Sequence, residues 1–203
     1  MKKYQYTFFS QLAILFLVVA ACSSNDDTSE ETVALEIGQA YQGGIIFYLD
    51  DSGEHGLIAL QNDLEVAEWG CTANQAPIAQ DHTIGTGEAN TQAIVNYCDE
   101  DVYAAKLCAD LVQNGYDDWF LPSIDELGLV YEHKDAIGGF ANEEYWVYSS
   151  STEGFNGCSA MGGPPCYLNS YVWDFSITPV FEDTRKITSS KVSGNRVRPI
   201  RSF

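Results

Sequence analysis

The chain has few histidines, few cations and no motif for metal or nucleotide chemistry. Its 203 residues include three His and ten Lys or Arg against 29 Asp or Glu, which gives a net charge of −19 at pH 7. The histidines are scattered, and the sequence contains no Gly-x-Ser-x-Gly, His-Glu-x-x-His or Cys-x-x-Cys spacing. No metal site and no cofactor is therefore predicted. An acidic body also repels nucleic acid and anionic lipid headgroups.

The N-terminus has the features of an export signal and lacks an apolar run long enough to span a membrane. Lys2 and Lys3 precede an apolar segment over residues 8–19, about 12 residues against the roughly 20 of a spanning helix. Small residues and Cys22 follow in Val-Ala-Ala-Cys. Residues 1–21 are thus predicted to be a signal peptide. The cleavage point resembles the lipobox of bacterial lipoproteins, whose cysteine is acylated and anchored in the membrane. An ordinary secreted protein with Cys22 there by coincidence is the alternative.

The next segment predicts a flexible connection between this anchor and a folded domain. Residues 22–34 are polar and acidic (SSNDDTSEET) and cannot bury enough apolar surface to fold, so we interpret them as a tether. The acidic run after the cysteine resembles the surface-export signal of some Bacteroidota-type lipoproteins, which predicts an outer-membrane location with exposure at the cell surface. Residues 35–203 are long enough for one domain with a sizeable core.

The few cations of the predicted mature chain are concentrated at its C-terminus. Eight remain once the two leader lysines are removed, and six of these lie in the last 19 residues. We favour the interpretation that they pair with the protein's own carboxylates. A local strip for binding anions is the alternative. The six are Arg185, Lys186, Lys191, Arg196, Arg198 and Arg201.

Five cysteines besides Cys22 predict disulfides, because exported proteins meet an oxidising environment. Sequence alone does not fix their connectivity. Cys158 and Cys166 are the first candidate pair, since the Gly/Pro-rich loop GCSAMGGPPC can bring its ends together. Calcium binding by the acidic loops stays open, although no loop has the spacing that would assign it.

Residue patterns predict strands that are segregated from helices. Two apolar runs over residues 45–49 and 57–61, separated by Asp-Ser-Gly-Glu-His, indicate a hairpin. Asn90 or Thr91 is a candidate N-cap of a helix. A helix is predicted over residues 101–113, where Asn114-Gly115 provides the stop.

A second helix is predicted to begin at Ser123, where Ser-Ile-Asp-Glu forms a capping box with Glu126, and to end by Gly138-Gly139. Three later segments, EYWVYSSS, SYVWDFSI and NRVRPIRSF, have the aromatic and β-branched content of strands. The order predicts a single α+β domain with a mostly antiparallel sheet, two main helices and long disulfide-stabilised loops.

The stretch GYDDWFLPSIDELGLVY, with IGTGEANT upstream and EYWVYSSS, VWDF and RVRPIRSF downstream, resembles the Lcl C-terminal domain family of bacterial surface proteins. The resemblance runs from about Gly43 to Phe203. A looser likeness is to C-type-lectin-like folds. The family implies a disulfide between Cys71 and Cys108, with Cys98 left free. It also implies architectural roles for a set of signature residues: Trp119, Pro122, Ser123, Glu126, Trp146, Arg196 and Arg198.

These observations favour a lipid-anchored, non-catalytic surface module that binds glycan, protein or matrix. Family adhesins that bind sulfated glycans need a basic face, which this acidic chain does not have, so that ligand is not carried over. A subunit of an envelope or fimbria-like assembly is the alternative, and a glycan-acting hydrolase that uses paired carboxylates is the second alternative. The aromatic residues proposed to stack on sugar rings are Tyr148, Tyr167, Tyr171 and Trp173.

Overall fold

The computed structural model describes residues 34–71, 78–140, 146–154, 168–179, 181 and 184–203, which belong to one compact unit. Helices and two antiparallel sheets combine in an α+β fold, as predicted. The helices are α1 (Gly87–Tyr97), α2 (Ala104–Ala109), α3 (Ile124–Glu132) and α4 (Lys134–Ile137). The strands are β1 (Ala40–Tyr41), β2 (Gly44–Leu49), β3 (Gly56–Ala59), β4 (Val147–Glu153), β5 (Asn169–Asp174), β6 (Lys186–Ser190) and β7 (Ile200–Ser202).

The first sheet joins the predicted hairpin to the C-terminus in the order β1-β2-β3-β7. Ile46 lies opposite Ile58 in the hairpin, and Ile58 lies opposite Arg201 on β7. The backbone of Phe203 exchanges hydrogen bonds with Gly56, so pairing continues to the last residue of the chain. The C-terminal segment is thereby placed beside the first hairpin.

The second sheet has the order β4-β5-β6, so the single sheet expected from the sequence is divided in two. Ser149 lies opposite Val172, and Tyr171 lies opposite Thr188. The amide of Ser149 donates to the carbonyl of Arg196 at 2.9 Å, which links this sheet to the segment leading into β7. Strand β6 was not predicted.

The capping box at the start of α3 is confirmed. Glu126 donates its amide to the Ser123 hydroxyl at 3.3 Å, and the Glu126 carboxylate accepts the Ser123 amide at 2.7 Å. The same carboxylate accepts the Gly85 amide at 2.7 Å. Burial raises the pKa of Glu126, while these backbone hydrogen bonds oppose the shift. The Glu126 side chain therefore links the loop before α1 to the start of α3.

The other helix boundaries differ from the predictions. Helix α1 begins at Gly87 after Thr86, so Asn90 and Thr91 lie inside it and do not cap it. Their side chains bind the carbonyls of Asp81 and Leu121, and these tertiary hydrogen bonds explain why polar residues are tolerated there.

Helix α2 is shorter than predicted at both ends. It starts after the extended residue Tyr103, and the Ala104 amide is bound to the carbonyl of Glu68 at 2.9 Å. It ends at Ala109. The predicted stop signal, Asn114-Gly115, instead forms the turn between Gln113 and Tyr116.

The predicted disulfide between Cys71 and Cys108 is wrong. Cys71 is bonded to Cys98, with Cα atoms 4.8 Å apart, and Cys108 is a buried free thiol. Cys98 follows the last residue of α1 and faces the segment ending at Cys71, whereas Cys108 packs inside α2. Burial raises the pKa of Cys108, which favours the neutral thiol over the thiolate. The candidate pair Cys158–Cys166 lies outside the described residues.

Three apolar clusters form the core. One joins the first sheet to α3 and the second sheet, through side chains such as Phe47, Leu127 and Tyr148. Another surrounds the disulfide with Trp69 and Ile94. The third lies beneath the hairpin formed by β2 and β3. No helix among the described residues is long and apolar enough to cross a bilayer.

Candidate ligand-binding cleft

A cleft of about 650 Å³ opens beside the first hairpin. One wall is the β1–β2 hairpin over residues 40–45. Another wall is the segment that follows β3, residues 60–64. Leu111, Gln113 and Asn114 close the cleft on the side of α2. We name this space the amide cleft, because five amide side chains contribute to its lining: Gln42, Gln61, Asn62, Gln113 and Asn114.

Two tight turns meet at the cleft. Gln42 and Gly43, with φ of 41° and 89°, connect β1 to β2, and Asn114 and Gly115, with φ of 56° and 85°, connect Gln113 to its bridge partner. Positive φ at both central residues of a two-residue connection defines a type I′ turn. The Asn114 side-chain amide donates to the carbonyl of Gly43 at 2.7 Å, so each turn fixes the position of the other.

Arg201 on β7 holds the first of these turns. Its guanidinium makes a bidentate pair with Asp118, with distances of 2.5 and 2.6 Å, and lies 3.9 Å from the ring centroid of Tyr116. The remaining nitrogen, Nη1, donates to the Gln42 carbonyl at 3.3 Å and to its side-chain oxygen at 3.0 Å. The neighbouring guanidinium lowers the pKa of Asp118. Arg201 therefore orients a side chain of the cleft.

Arg198 holds the opposite wall from inside the protein. Its side chain has no solvent exposure. Nη1 donates to the carbonyls of Leu60 and Gln61 at 2.9 and 3.0 Å, and Nε donates to Asp63 at 2.6 Å. Further bonds reach the carbonyls of Gly138 and Gly139. The buried charge is thus surrounded by acceptors, as a charge removed from water must be.

Asp63, an acid in the lining, is fully occupied by internal partners. Besides Arg198, its carboxylate accepts Arg196 at 3.0 Å and the hydroxyl of Tyr148 at 2.8 Å. Burial and this neighbouring carboxylate raise the pKa of Tyr148. Asp63 therefore serves to organise the wall and offers no free carboxylate for acid–base chemistry.

The amide cleft is polar but has no uncompensated charge. Its described lining includes no Lys or Arg, and Asp63 is its single carboxylate. Gln61, Asn62, Gln113 and Asn114 are exposed to solvent. Each amide has donors and an acceptor. The half-buried Tyr41 adds an aromatic ring, which makes an edge contact with Phe203 at 5.0 Å between centroids. Such a surface suits a neutral ligand that is rich in hydroxyl groups.

All eight cations of residues 34–203 are engaged within the protein, and the predicted pairing with carboxylates is confirmed for five of the six in the basic C-terminus. Seven bind carboxylates, and Arg185 donates to the carbonyls of Asp174 and Ser176. No free anion-binding strip is formed by these eight side chains. The carboxylate pairs are Lys106–Asp110, Lys134–Asp135, Lys186–Asp125, Lys191–Glu153, Arg196–Asp63, Arg198–Asp63 and Arg201–Asp118.

The predicted aromatic platform is wrong for Tyr148 and Tyr171. Tyr148 is completely buried and Tyr171 is 7% exposed, because both face the core between the sheets. Trp173 is half-buried and packs over Gly128 and Tyr131. The remaining candidate, Tyr167, lies outside the described residues, as does Cys22.

Three of the signature residues, Trp119, Pro122 and Trp146, make internal contacts. Trp119 is buried beneath the first hairpin. The carbonyl of Pro122 accepts the amide of Ser151 at 2.7 Å, and Trp146 lies under the guanidinium of Arg196. None of these three lines the amide cleft.

Sequence reasoning missed the amide cleft itself. Asn114-Gly115 and Gln42-Gly43 were the available signals, because a residue followed by Gly between extended segments is typical of type I′ turns. Nothing in the sequence indicated that the two turns would meet.

Among the described residues, one group of three metal-type ligands comes together: Cys71, Cys98 and Glu100. Both sulfurs belong to the disulfide, so they do not offer the thiolates that zinc requires. This group therefore does not fit a zinc site in the oxidised protein.

No protein-family model matches the chain, and a search of curated proteins finds no relative.

Proposed function

We propose that the protein is a lipid-anchored cell-surface module that binds a neutral glycan in the amide cleft without reacting with it. The observation that carries this proposal is the described lining of the cleft, which contains five amide side chains and Tyr41 but no Lys or Arg. Amides can donate to and accept from sugar hydroxyls, and the edge or face of a tyrosine ring can pack against apolar C–H groups of a sugar. A cleft of this volume accommodates a small oligosaccharide.

The charge distribution supports a neutral ligand. A sulfated or phosphorylated glycan would need unpaired cations, and all eight in residues 34–203 have internal partners. With a net charge of −19, the chain also repels anionic polymers. These facts support hydroxyl recognition over ionic recognition.

Binding is favoured over hydrolysis because glycosidases of the usual type need two carboxyl groups across the scissile bond. The described lining of the amide cleft contains Asp63 alone, and this carboxylate is bound to Arg196, Arg198 and Tyr148. This lining therefore has no second carboxylate, and the carboxylate of Asp63 is not free to act as an acid, base or nucleophile.

The membrane anchor in this proposal rests on the N-terminal sequence. Lys2 and Lys3, the short apolar segment and Cys22 have the order of a lipoprotein signal, and residues 22–34 supply a tether. The resemblance to the Lcl C-terminal domain family supports a surface location. Intact-mass analysis of membrane-extracted protein tests the anchor, and an unmodified Cys22 or an uncleaved leader would contradict it.

Glycan binding is tested on a printed array that includes neutral, sulfated and sialylated glycans, using full-length protein in detergent. We expect binding to neutral glycans, unchanged when calcium is chelated. The double variant Gln61→Ala/Asn62→Ala should bind about tenfold more weakly, because two exposed hydrogen-bonding groups are lost. Gln92→Ala, on the exposed face of α1, is the matched control and should bind normally. Exclusive binding to sulfated glycans, or equal binding by the double variant, would contradict the proposal.

A further inference from the structure

A second cleft, of about 460 Å³, adjoins the amide cleft and shares Leu64 and Leu111 with it. Its surface is mainly aliphatic, because Val102, Leu107 and Val112 join these two leucines. We name it the aliphatic cleft. Its volume lies within the range of about 300–1,000 Å³ that is typical of ligand sites.

Two valines of this cleft are the most exposed large apolar side chains among the described residues. Val102 is 60% exposed and Val112 is 72% exposed. Scattered exposed apolar residues need no explanation, but these two line one concave surface with three leucines. Apolar surface rimmed by polar residues is typical of interaction sites. Covering it removes apolar area from water, which stabilises a complex.

The rim of the aliphatic cleft is negatively charged. Glu65, Asp101 and Asp110 contribute carboxylates, and Lys106 is the single cation of the described lining. Lys106 is already bound to Asp110 at 2.7 Å, and this carboxylate raises the pKa of Lys106. Glu65 and Asp101 therefore give the rim its net negative charge. This charge complements a cationic partner.

Backbone hydrogen bonds hold both walls of the aliphatic cleft in place without a bound partner. The Leu64 amide donates to the carbonyl of Val197 at 2.9 Å, and the Leu111 amide donates to the carbonyl of Cys108 at 3.1 Å. The segment containing Leu64 and Glu65 runs on to Cys71, whose disulfide with Cys98 ties it to the chain leading into α2. A preformed cleft loses little conformational entropy on binding.

The same charges exclude several occupants. A second copy that docks through this cleft would bring its own Glu65 and Asp101 against the same acids, because a two-fold contact pairs identical surfaces. Residues 22–34 are acidic as well. Nucleic acid and anionic lipid are repelled for the same reason. A partner must therefore supply both cations and aliphatic side chains.

We propose that the aliphatic cleft is a docking site for a short segment of another protein in which Lys or Arg alternates with Leu, Ile or Val. The aliphatic side chains of the segment contact Leu64, Leu107 and Val112, and its cations lie near Glu65 and Asp101. This inference goes beyond glycan binding, because it gives the surface module a separate site for a protein partner.

The experiment measures fluorescence anisotropy of two labelled peptides with full-length protein in detergent. One peptide alternates Leu and Lys, and the other alternates Leu and Glu. We expect the first to bind, with affinity that falls as salt is added, and the second not to bind. Val102→Ser/Val112→Ser tests the aliphatic surface, and Glu65→Gln/Asp101→Asn tests the rim. Each should weaken binding about tenfold, through lost apolar contact or lost charge complementarity respectively.

The controls match these changes in chemistry and exposure. Val192→Ser replaces a valine that is 59% exposed outside the cleft, and Asp51→Asn neutralises an exposed acid of the first hairpin. Both should bind the Leu/Lys peptide normally. Equal binding of the two peptides, no binding of either, or equal weakening by the control variants would overturn the inference. Because no glycan is present and the amide cleft is unaltered, the result is independent of the proposed glycan site.

Discussion

The amide cleft and the aliphatic cleft lie side by side, share two leucines and are supported in different ways. Arg198 and Arg201 hold the walls of the amide cleft through hydrogen bonds to carbonyl and side-chain oxygens. A disulfide and an apolar cluster hold the walls of the aliphatic cleft. The polar lining of the amide cleft is thus held by buried cations that lie outside that lining, whereas the aliphatic lining is held by the disulfide and the apolar cluster behind it.

The largest effect is expected from removing the buried cation behind the amide cleft. Arg198→Met leaves Asp63 with fewer partners and removes the donor from four carbonyls, so the free energy of unfolding should fall by about 3–5 kcal/mol. Denaturant titration measures this change. Lys134→Met is the control, because its pair with Asp135 is exposed and should contribute under about 1 kcal/mol. Equal losses in the two variants would show that Arg198 does not support the cleft.

The next effect is expected from breaking the disulfide. It closes a loop with a sequence separation of 27, and Cys71→Ala/Cys98→Ala should lower the free energy of unfolding by about 3 kcal/mol. Binding of the Leu/Lys peptide should weaken more than glycan binding, because the walls of the aliphatic cleft depend on this bond. Cys108→Ala removes a buried sulfur but keeps the bond, and serves as the control. Equal weakening of peptide binding and glycan binding would contradict the proposed difference between the clefts.

The smallest effect is expected at the turn of the amide cleft. Gly43 and Gly53 both have positive φ, but a Cβ on Gly43 would meet Asn114 and Tyr116, whereas a Cβ on Gly53 meets nothing within 4 Å. Gly53→Ala should cost about 1 kcal/mol of stability from backbone strain alone, and Gly43→Ala about 2 kcal/mol. Gly43→Ala should also weaken glycan binding, as a titration would show. Identical stabilities would mean that the two turns do not depend on each other.

Local patterns predicted the local parts of this fold. The hairpin of β2 and β3 was visible as two apolar runs, and the cap of α3 was visible because Ser123 and Glu126 interact within one helical turn. Internal pairing of Arg196, Arg198 and Arg201 followed from charge balance alone. Each of these conclusions needed only neighbouring residues or overall charge.

Long-range partners could not be predicted in this way. Cys98 directly follows α1, Cys108 lies in α2, and both belong to the same apolar cluster. Only the packing of α1 therefore decides which of the two meets Cys71. Tyr148 and Tyr171 lie in segments that were correctly predicted as strands, but the sequence did not show that both side chains face the core. The amide cleft forms where three distant segments of the chain meet and the aliphatic cleft where two meet, so no single segment encodes either cleft.

The two arginines that shape the amide cleft lie within the last six residues of the chain, 198–203. During synthesis, both walls of the amide cleft, residues 40–45 and 60–64, therefore emerge long before the two arginines that fix them. A chain terminated just before Arg198 would contain the residues of both walls but lose strand β7 and the hydrogen bonds of the two arginines to Gln42, Gln61 and Asp63. Only a molecule translated as far as Arg201 can therefore form the finished amide cleft, and a copy stopped before Arg198 would lack the hydrogen bonds that hold both of its walls.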